Sequence, residues 1–158
     1  QYTPRMEGLI RSYDGPVHVY GFDARAPDGN LDFRPLSNLP FVEDLASCRA
    51  VVSTAGNQLV GECIRFGKPM LVSPERTVEQ RLNARALHRE GIGMQVPLGR
   101  VGPEALRGFL ARRADYARNM KRLQRDGRAA AVAAIERYCG ELAGPGAARP
   151  VEVARETV

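Results

Sequence analysis

The run from Ala50 to Ala84 alternates between two kinds of hydrophobic periodicity. It predicts a strand at Ala50–Ser53, a helix at Asn57–Phe66, a strand at Met70–Ser73 and a helix at Val78–Glu90. Strands that alternate with helices predict a mainly parallel sheet covered on both faces. The polar side chains cluster where the strands end, which is the edge at which an open α/β sheet binds nucleotides.

The rest of the chain extends this pattern. We predict strands at Val17–Phe22, Asn30–Arg34 and Gly93–Val96, helices at Met6–Ser12 and Phe41–Cys48, and two or three helices within Pro103–Leu142. The expected fold class is therefore α/β, a Rossmann-like doubly wound sheet with extra C-terminal helices, forming one domain over residues 1–143 and a tail over residues 144–158. Only Gln1 and Tyr2 are left for a first strand, so we expect a fragment of a larger protein.

Composition narrows the class of protein. A chain of 158 residues with 44% hydrophobic and 26% charged residues is typical of one globular domain. No apolar run approaches the roughly 20 residues of a membrane span, so we expect a cytoplasmic protein. Cys48, Cys63 and Cys139 are odd in number and widely spaced, which favours buried thiols over disulfides. No metal site is predicted.

The net charge of +5 comes almost wholly from arginine. Much of it lies between Arg107 and Arg137, where helical propensity favours a solvated helix face. The alternative is a weak attraction to anionic lipid, with peripheral contact at the inner face of the membrane, or to an acidic partner. Nucleic-acid binding is not expected, because neither an interleaved pattern of aromatic residues nor a recognisable module accompanies the charge.

The turn between the first strand and helix of the central run is a candidate anion site. A helix start presents free N–H groups and the positive end of its dipole. Small residues at Ala55 and Gly56 let an anion approach, while the hydroxyls of Ser53 and Thr54 and the amides of Asn57 and Gln58 can add hydrogen bonds. The alternative is a plain turn in which Thr54 or Asn57 caps the helix.

Two further polar clusters follow along the run. Glu62 shares a helix face with Gln58 and Arg65, so it can accept both hydroxyls of a ribose or simply pair with Arg65. After Pro74, a helix carries Glu79, Gln80 and Asn83 on one side, which suits a ligand with many hydroxyls such as a sugar. The alternative there is a hydrated helix start, since acidic residues favour the first turn.

Together, Gly56, Glu62, the GKP turn at Gly67–Pro69, Pro74 and the EQRLNA segment at Glu79–Ala84 resemble the donor-binding half of GT-B glycosyltransferases. The resemblance is to family 28 enzymes and to UDP-glycosyltransferases, and it covers most of residues 15–97. It implies a domain that binds a nucleotide-sugar donor, with a UDP-sugar as the expected class, and transfer of the sugar to an acceptor. No cofactor besides the donor substrate is implied.

The resemblance also implies a role for each matching position. Thr54, Ala55, Gly56 and Asn57 match the loop that holds the diphosphate, Glu62 the acid that binds the ribose, Glu79 and Gln80 the pair that contacts the donor sugar, and Asn83 a position close to it. Pro74 ends the strand before that pair. The loop at Pro35–Asn38, with Leu36 and Ser37, falls where the family holds the base.

The chain departs from the family pattern in two places. Thr54 stands where many UDP-glycosyltransferases have a histidine, and QYTPRMEG lacks the glycine-rich loop that often follows the first strand of this half. The acceptor site and any catalytic base belong largely to the N-terminal acceptor-binding domain of such enzymes, so we expect this chain alone to bind donor without turnover. Neither His18 nor His88 is nominated as a base.

Three alternative functions stay open at this point. The chain can be a natural subunit that docks on a separate acceptor-binding protein. It can be half of a UDP-sugar 2-epimerase, which shares the GT-B fold. It can also be a non-catalytic module that binds a nucleotide sugar, or a partner protein through its arginine-rich helices.

Overall fold

A computed structural model describes residues 4–21, 25–35 and 37–143 of the chain. The described residues fall into two compact units, the first ending at Gln124 and the second beginning at Arg125. The expected strand end at Gln1 and Tyr2, the residues Phe22 and Leu36, and the tail over 144–158 lie outside the described residues. The predicted extent of a single domain, 1–143, stays a prediction.

Five strands and six helices build the first unit. The strands are β1 (Val17–Tyr20), β2 (Leu31–Arg34), β3 (Val51–Ser53), β4 (Met70–Val72) and β5 (Gly93–Gln95). The helices are α1 (Pro4–Arg11), α2 (Asn38–Ser47), α3 (Asn57–Phe66), α4 (Val78–Arg89), α5 (Pro103–Ala111) and α6 (Arg113–Met120), with short 3-10 turns at Leu98–Arg100 and Lys121–Leu123. Helix α7 (Arg128–Ala143) belongs to the second unit.

Among the described residues, the paired strands β1 to β5 all run parallel to their neighbours, as the alternating pattern predicted. β1 pairs with β2, and β4 lies between β3 and β5 in a three-stranded sheet. In register, Ser53 stands beside Val72, so β3 and β4 end at the same edge. The carboxyl ends of parallel strands therefore bring the following loops together, as the sequence predicted for its polar clusters.

The core lies on both faces of β4, which is buried along its whole length. Met70 and Val72 pack in the cluster that includes residues of α2, α3 and α4, whereas Leu71 packs in the cluster that includes residues of α1, α5 and α6. Successive side chains of a strand point to opposite faces, so this division shows helices on both sides of the sheet. The predicted doubly wound α/β class is confirmed.

Most element bounds match the sequence pattern, and α2 is the clearest exception. The pattern placed its start at Phe41, after Pro40, but the helix begins at Asn38 and contains Pro40 in its first turn. Proline is tolerated there because the first N–H groups of a helix have no intrahelical acceptor. The longer helix brings Phe41 and Asp44 onto a fixed scaffold beside β1 and α3.

The three cysteines are free thiols in different surroundings. Cys63 is fully buried, and burial raises the pKa of its thiol to about 12. Burial also raises the pKa of the half-buried Cys48. Cys139 on α7 is exposed, so the prediction of a buried thiol is wrong at that position.

None of the helices among the described residues is long and apolar enough to cross a membrane. Three arginines of the C-terminal region have partners: Arg118 pairs with Asp115, Arg122 with Glu90, and Arg112 lies 5.1 Å from the centre of the Tyr116 ring. These contacts agree with a solvated helix face, the first of the two alternatives for the arginine-rich region.

Candidate functional site

The turn after β3 has an unusual backbone held by two side chains. Among the described residues other than glycine, Ala55 alone has a positive φ, 69°. The Ala55 N–H donates to Ser53 Oγ at 3.1 Å, and the Ala55 carbonyl accepts from Asn83 Nδ2 at 3.0 Å. A left-handed alanine costs roughly 1–2 kcal/mol and persists only where its surroundings fix it. Ser53 and Asn83 thus fix the loop that leads into α3.

Helix α3 begins without a side-chain cap of its own. Gly56 is the N-cap residue and has no side chain that can accept a hydrogen bond. The alternative that Thr54 or Asn57 merely caps the helix is therefore wrong. Instead, the Asn57 N–H donates to Glu79 Oε1 at 2.9 Å, from the first turn of α4. A carboxylate lies at the positive end of the α3 dipole, where the sequence predicted an anion.

Glu62 lies in the second turn of α3. In the described part of the chain its hydrogen-bond partner is Gln58, whose Nε2 donates to Glu62 Oε1 at 3.0 Å, and not Arg65. The simple intrahelical pair with Arg65 is thus not formed. Glu62 is half-buried and keeps its second carboxylate oxygen for another donor.

The start of α4 is held independently of Glu79. Thr77 is the N-cap residue and its hydroxyl accepts from the Gln80 N–H at 3.3 Å, while Gln80 Oε1 accepts from the Glu75 N–H at 2.8 Å. This arrangement resembles a capping box, in which side chains satisfy the free N–H groups of the first turn. Gln80 therefore has a structural role at the start of α4.

An open cavity of about 420 Å³ lies at the start of α3. Its lining residues come from three helices and are Phe41, Gly56, Asn57, Gln58, Leu59, Glu62 and Glu79. The cavity wall therefore brings together Gly56, Glu62 and Glu79, which were predicted to bind the diphosphate, the ribose and the sugar and which lie up to 23 positions apart in the sequence.

Other predicted site residues do not line the cavity or lie outside the described residues. Its lining does not include Ser53, Thr54, Ala55, Pro74, Gln80 and Asn83, although Ser53, Ala55 and Asn83 shape the loop beside it. Ser37 is exposed just before α2, and Leu36 lies outside the described residues. The cavity thus brings part of the predicted site together, and the ligand-binding roles of all these residues stay predictions.

Sequence reasoning missed Phe41 and Leu59, the apolar part of the cavity wall. Phe41 was assigned to a helix because it fitted the helical period of apolar residues, and Leu59 lay within the predicted helix Asn57–Phe66 but was not selected as a site residue. No local sequence signal could have found Phe41, because its place in the cavity wall depends on the proximity of α2 to the start of α3. An aromatic ring beside polar side chains is typical of a site for a flat ring.

A polar cluster formed by His18, Tyr20, Arg34 and Asp44 lies beside Phe41. The Phe41 ring meets the Tyr20 ring edge to face, with centroids 5.0 Å apart. Asp44 accepts a hydrogen bond from the Tyr20 hydroxyl and another from Arg34, and His18 Nδ1 lies 3.0 Å from Asp44 Oδ2. This cluster joins β1 and β2 to α2 and fixes the orientation of Phe41.

The contacts of this cluster shift the protonation of its members. Burial by itself raises the pKa of Asp44, but hydrogen bonds from Tyr20 and Arg34 and the charge of His18 outweigh it and hold that pKa below its ordinary value. Burial and the hydrogen bond to Asp44 raise the pKa of Tyr20. Asp44 is thus a carboxylate and Tyr20 a neutral hydroxyl at neutral pH.

The two histidines lie away from the cavity lining. His18 belongs to the Asp44 cluster, and His88 is exposed in the last turn of α4. Neither lines the cavity.

The fold is shared with several solved glycosyltransferase structures. The glycotransferase of kitacinnamycin has a TM-score of 0.69 at 22% identity over 87% of this chain. The spinosyn forosaminyltransferase SpnP has 0.62 at 19% over 76%, and the glycosyltransferase VinC, in complex with dTDP, has 0.59 at 20% over 75%. The chain spans 40%, 33% and 32% of those structures, respectively.

Sequence comparison identifies the family. No curated protein matched this chain significantly. The model of glycosyl transferase family 1 matches residues 3–113, which is more than half of the chain and includes every residue of the cavity wall. The resemblance to GT-B glycosyltransferases is thereby confirmed, and the chain belongs to glycosyl transferase family 1.

Proposed function

We propose that this domain binds the nucleoside diphosphate part of a nucleotide sugar in the cavity at the start of α3. The observation that carries the proposal is the meeting of Glu62, the uncapped start of α3 and Glu79 around one cavity. Membership of glycosyl transferase family 1 supports a donor of this class. In the protein that contains this domain, the bound sugar is transferred to an acceptor.

Each part of the donor has a matching feature. The diphosphate lies at the start of α3, where the loop over Ser53–Gly56 and the N–H groups of Asn57 and Gln58 supply hydrogen bonds. The second oxygen of Glu62 accepts from a ribose hydroxyl. Phe41 offers a face on which the base or the ribose can pack. Glu79, Gln80, Pro74 and Asn83 stand on the side where the sugar follows the diphosphate.

The proposed chemistry needs little from this domain beyond charge stabilisation. When the glycosidic bond breaks, negative charge grows on the departing diphosphate. Peptide N–H groups and a helix dipole that already point at that charge stabilise it without reorganising. The domain uses no cofactor in this proposal, since the nucleotide sugar is itself the substrate.

The base of the donor is proposed to be a pyrimidine, in UDP or dTDP. VinC, which shares the fold, was solved in complex with dTDP. The two nucleotides differ at C5 of the base, where dTDP alone has a methyl group, and at the 2′ position of the sugar ring, where UDP has a hydroxyl and dTDP has none. Glu62, the proposed acceptor for the ribose hydroxyls, is the residue whose contacts would differ between UDP and dTDP at the 2′ position.

The experiment is a calorimetric titration of the wild type and Glu62→Ala with UDP and with dTDP. Removing a charged acceptor costs about 1.5–3 kcal/mol, so the Kd for UDP should rise roughly 10- to 100-fold. The rise for dTDP should be smaller, because dTDP offers Glu62 one hydroxyl fewer. Glu104→Ala, at an exposed position in the first turn of α5, is the matched control. Equal binding by wild type and Glu62→Ala would refute the ribose contact.

We further propose that the acceptor site and the catalytic base come from an N-terminal acceptor-binding domain. The chain corresponds to about a third of the solved enzymes to which it is similar, which supports such a division of labour. Product analysis on a protein that contains both domains tests the reaction. A glycosylated acceptor is expected, whereas a 2-epimerised UDP-sugar, or binding without turnover, would contradict transfer.

A further inference from the structure

Glu79 occupies the anion position of α3. Its Oε1 accepts the Asn57 N–H at 2.9 Å, across 22 residues of sequence. From this contact we infer that Glu79 determines specificity, by making the site prefer a nucleoside diphosphate that carries a sugar over the free nucleoside diphosphate. The inference rests on the proposed function, and it concerns the discrimination between donor and product.

Glu79 and an entering diphosphate compete for the N–H group of Asn57. The start of α3 attracts an anion, and Gly56 offers no side chain to satisfy the helix. Glu79 is exposed and lines the cavity with Asn57. A diphosphate that enters must take over the N–H of Asn57 and stands next to the Glu79 carboxylate. Diphosphate and carboxylate repel each other, so Glu79 must change partner when the ligand binds.

The two ligands differ in the hydrogen-bond donors that they offer to the Glu79 carboxylate. A sugar offers hydroxyl donors beside the diphosphate, and these can replace the N–H of Asn57 as partners of the carboxylate. A free nucleoside diphosphate offers no such donors. Its terminal phosphate also bears no ester, so it carries about −1.5 to −2 charge at neutral pH, as other terminal phosphate groups do, whereas the same phosphate joined to a sugar carries one ionisable proton fewer. Glu79 therefore disfavours the free diphosphate, both because this ligand lacks the hydroxyl donors and because it carries more negative charge.

The start of α4 is built so that Glu79 can change partner. Thr77 caps the helix and Gln80 holds the Glu75 N–H, so the backbone of the first turn has its own acceptors and donors. Release of Glu79 from Asn57 breaks none of these bonds. The carboxylate can thus turn from α3 to a sugar without unwinding α4.

The test compares wild type with Glu79→Gln at low ionic strength, where charge repulsion is least screened. Glutamine keeps an oxygen acceptor for the Asn57 N–H or a sugar hydroxyl and removes only the charge. The probes are UDP, UDP-glucose, dTDP and dTDP-glucose, each titrated by calorimetry. Glu104→Gln removes the same charge from the first turn of α5 and is the control.

We expect Glu79→Gln to lower the Kd for UDP and dTDP about fivefold to tenfold and to change the Kd for the sugar-bearing ligands less. The ratio between the two classes should therefore fall, while Glu104→Gln leaves it unchanged. If wild type binds these ligands but Glu79→Gln shifts both classes equally, or weakens UDP, the inference is overturned and the proposed function stands. If wild type binds none of the four probes at millimolar concentration, both fail together.

Discussion

At the scale of single residues, the site depends on contacts between distant parts of the chain. The Asn83 amide holds the Ala55 carbonyl, and Glu79 holds the Asn57 N–H. Sequence reasoning selected all four residues, because their types suit a nucleotide sugar. It could not predict that two of them bind the loop itself, since a hydrogen bond across 28 residues leaves no local pattern.

Asp44 gives a prediction about pH. Because its pKa is lowered on folding, the Asp44 carboxylate contributes stability above the unfolded pKa of about 3.9. This contribution is lost as the pH falls below that value and through the lower folded pKa. Asp44→Asn should therefore cost about 1–2 kcal/mol of unfolding free energy at pH 7, and the difference from wild type should shrink below about pH 4.

Urea unfolding of wild type and Asp44→Asn at pH 7, 5 and 3 measures this difference. Asp14→Asn, at an exposed loop position, is the control and should follow wild type at each pH. A difference between wild type and Asp44→Asn that grows on acidification would have the wrong sign for a depressed carboxylate and would contradict the assignment.

At the scale of elements, the local sequence determines α3 more fully than α2. Apolar periodicity and the flanking Gly56 and Gly67 predicted both ends of α3, and Gly67 closes it in the left-handed conformation with φ 66°. The start of α2 was wrong because a proline in the first turn is compatible with either boundary. Phe41 lay within the predicted helix, but its position on the cavity wall depends on how α2 packs.

Gly93 provides a test of the sheet itself. A Cβ added at Gly93 would lie 2.5 Å from the Met70 carbonyl oxygen on the neighbouring strand. The neighbour is backbone and cannot turn aside, so β4 and β5 must shift apart in Gly93→Ala. We expect a loss of about 1–3 kcal/mol in unfolding free energy, measured by chemical denaturation.

The control for Gly93→Ala is Gly108→Ala. No atom lies within 4 Å of a Cβ at Gly108, which is inside α5. Alanine is favoured over glycine in a helix by up to about 1 kcal/mol, so Gly108→Ala should match or exceed wild type. A Gly93→Ala protein as stable as wild type would show that the two strands are not packed as closely as described.

At the scale of the whole molecule, the doubly wound class followed from the alternation of strands and helices alone. The pairing into a two-stranded sheet and a three-stranded sheet did not, because register and neighbours arise from packing on both faces. The division at Gln124 was likewise invisible in the sequence, where Pro103–Leu142 reads as one helical region. What the alternation did predict was the edge at which the cavity lies.

The central claim is that the start of α3 and Glu62 bind a nucleoside diphosphate. Titration of the ¹⁵N-labelled chain with UDP, followed by amide chemical shifts, tests it most directly. We predict that the largest shifts fall on Gly56, Asn57, Gln58 and Glu62 and saturate at or below millimolar UDP, while Glu104 and its neighbours on α5 stay unchanged. No shift at those four amides at millimolar UDP, or shifts confined to the arginine-rich helices, would contradict the claim.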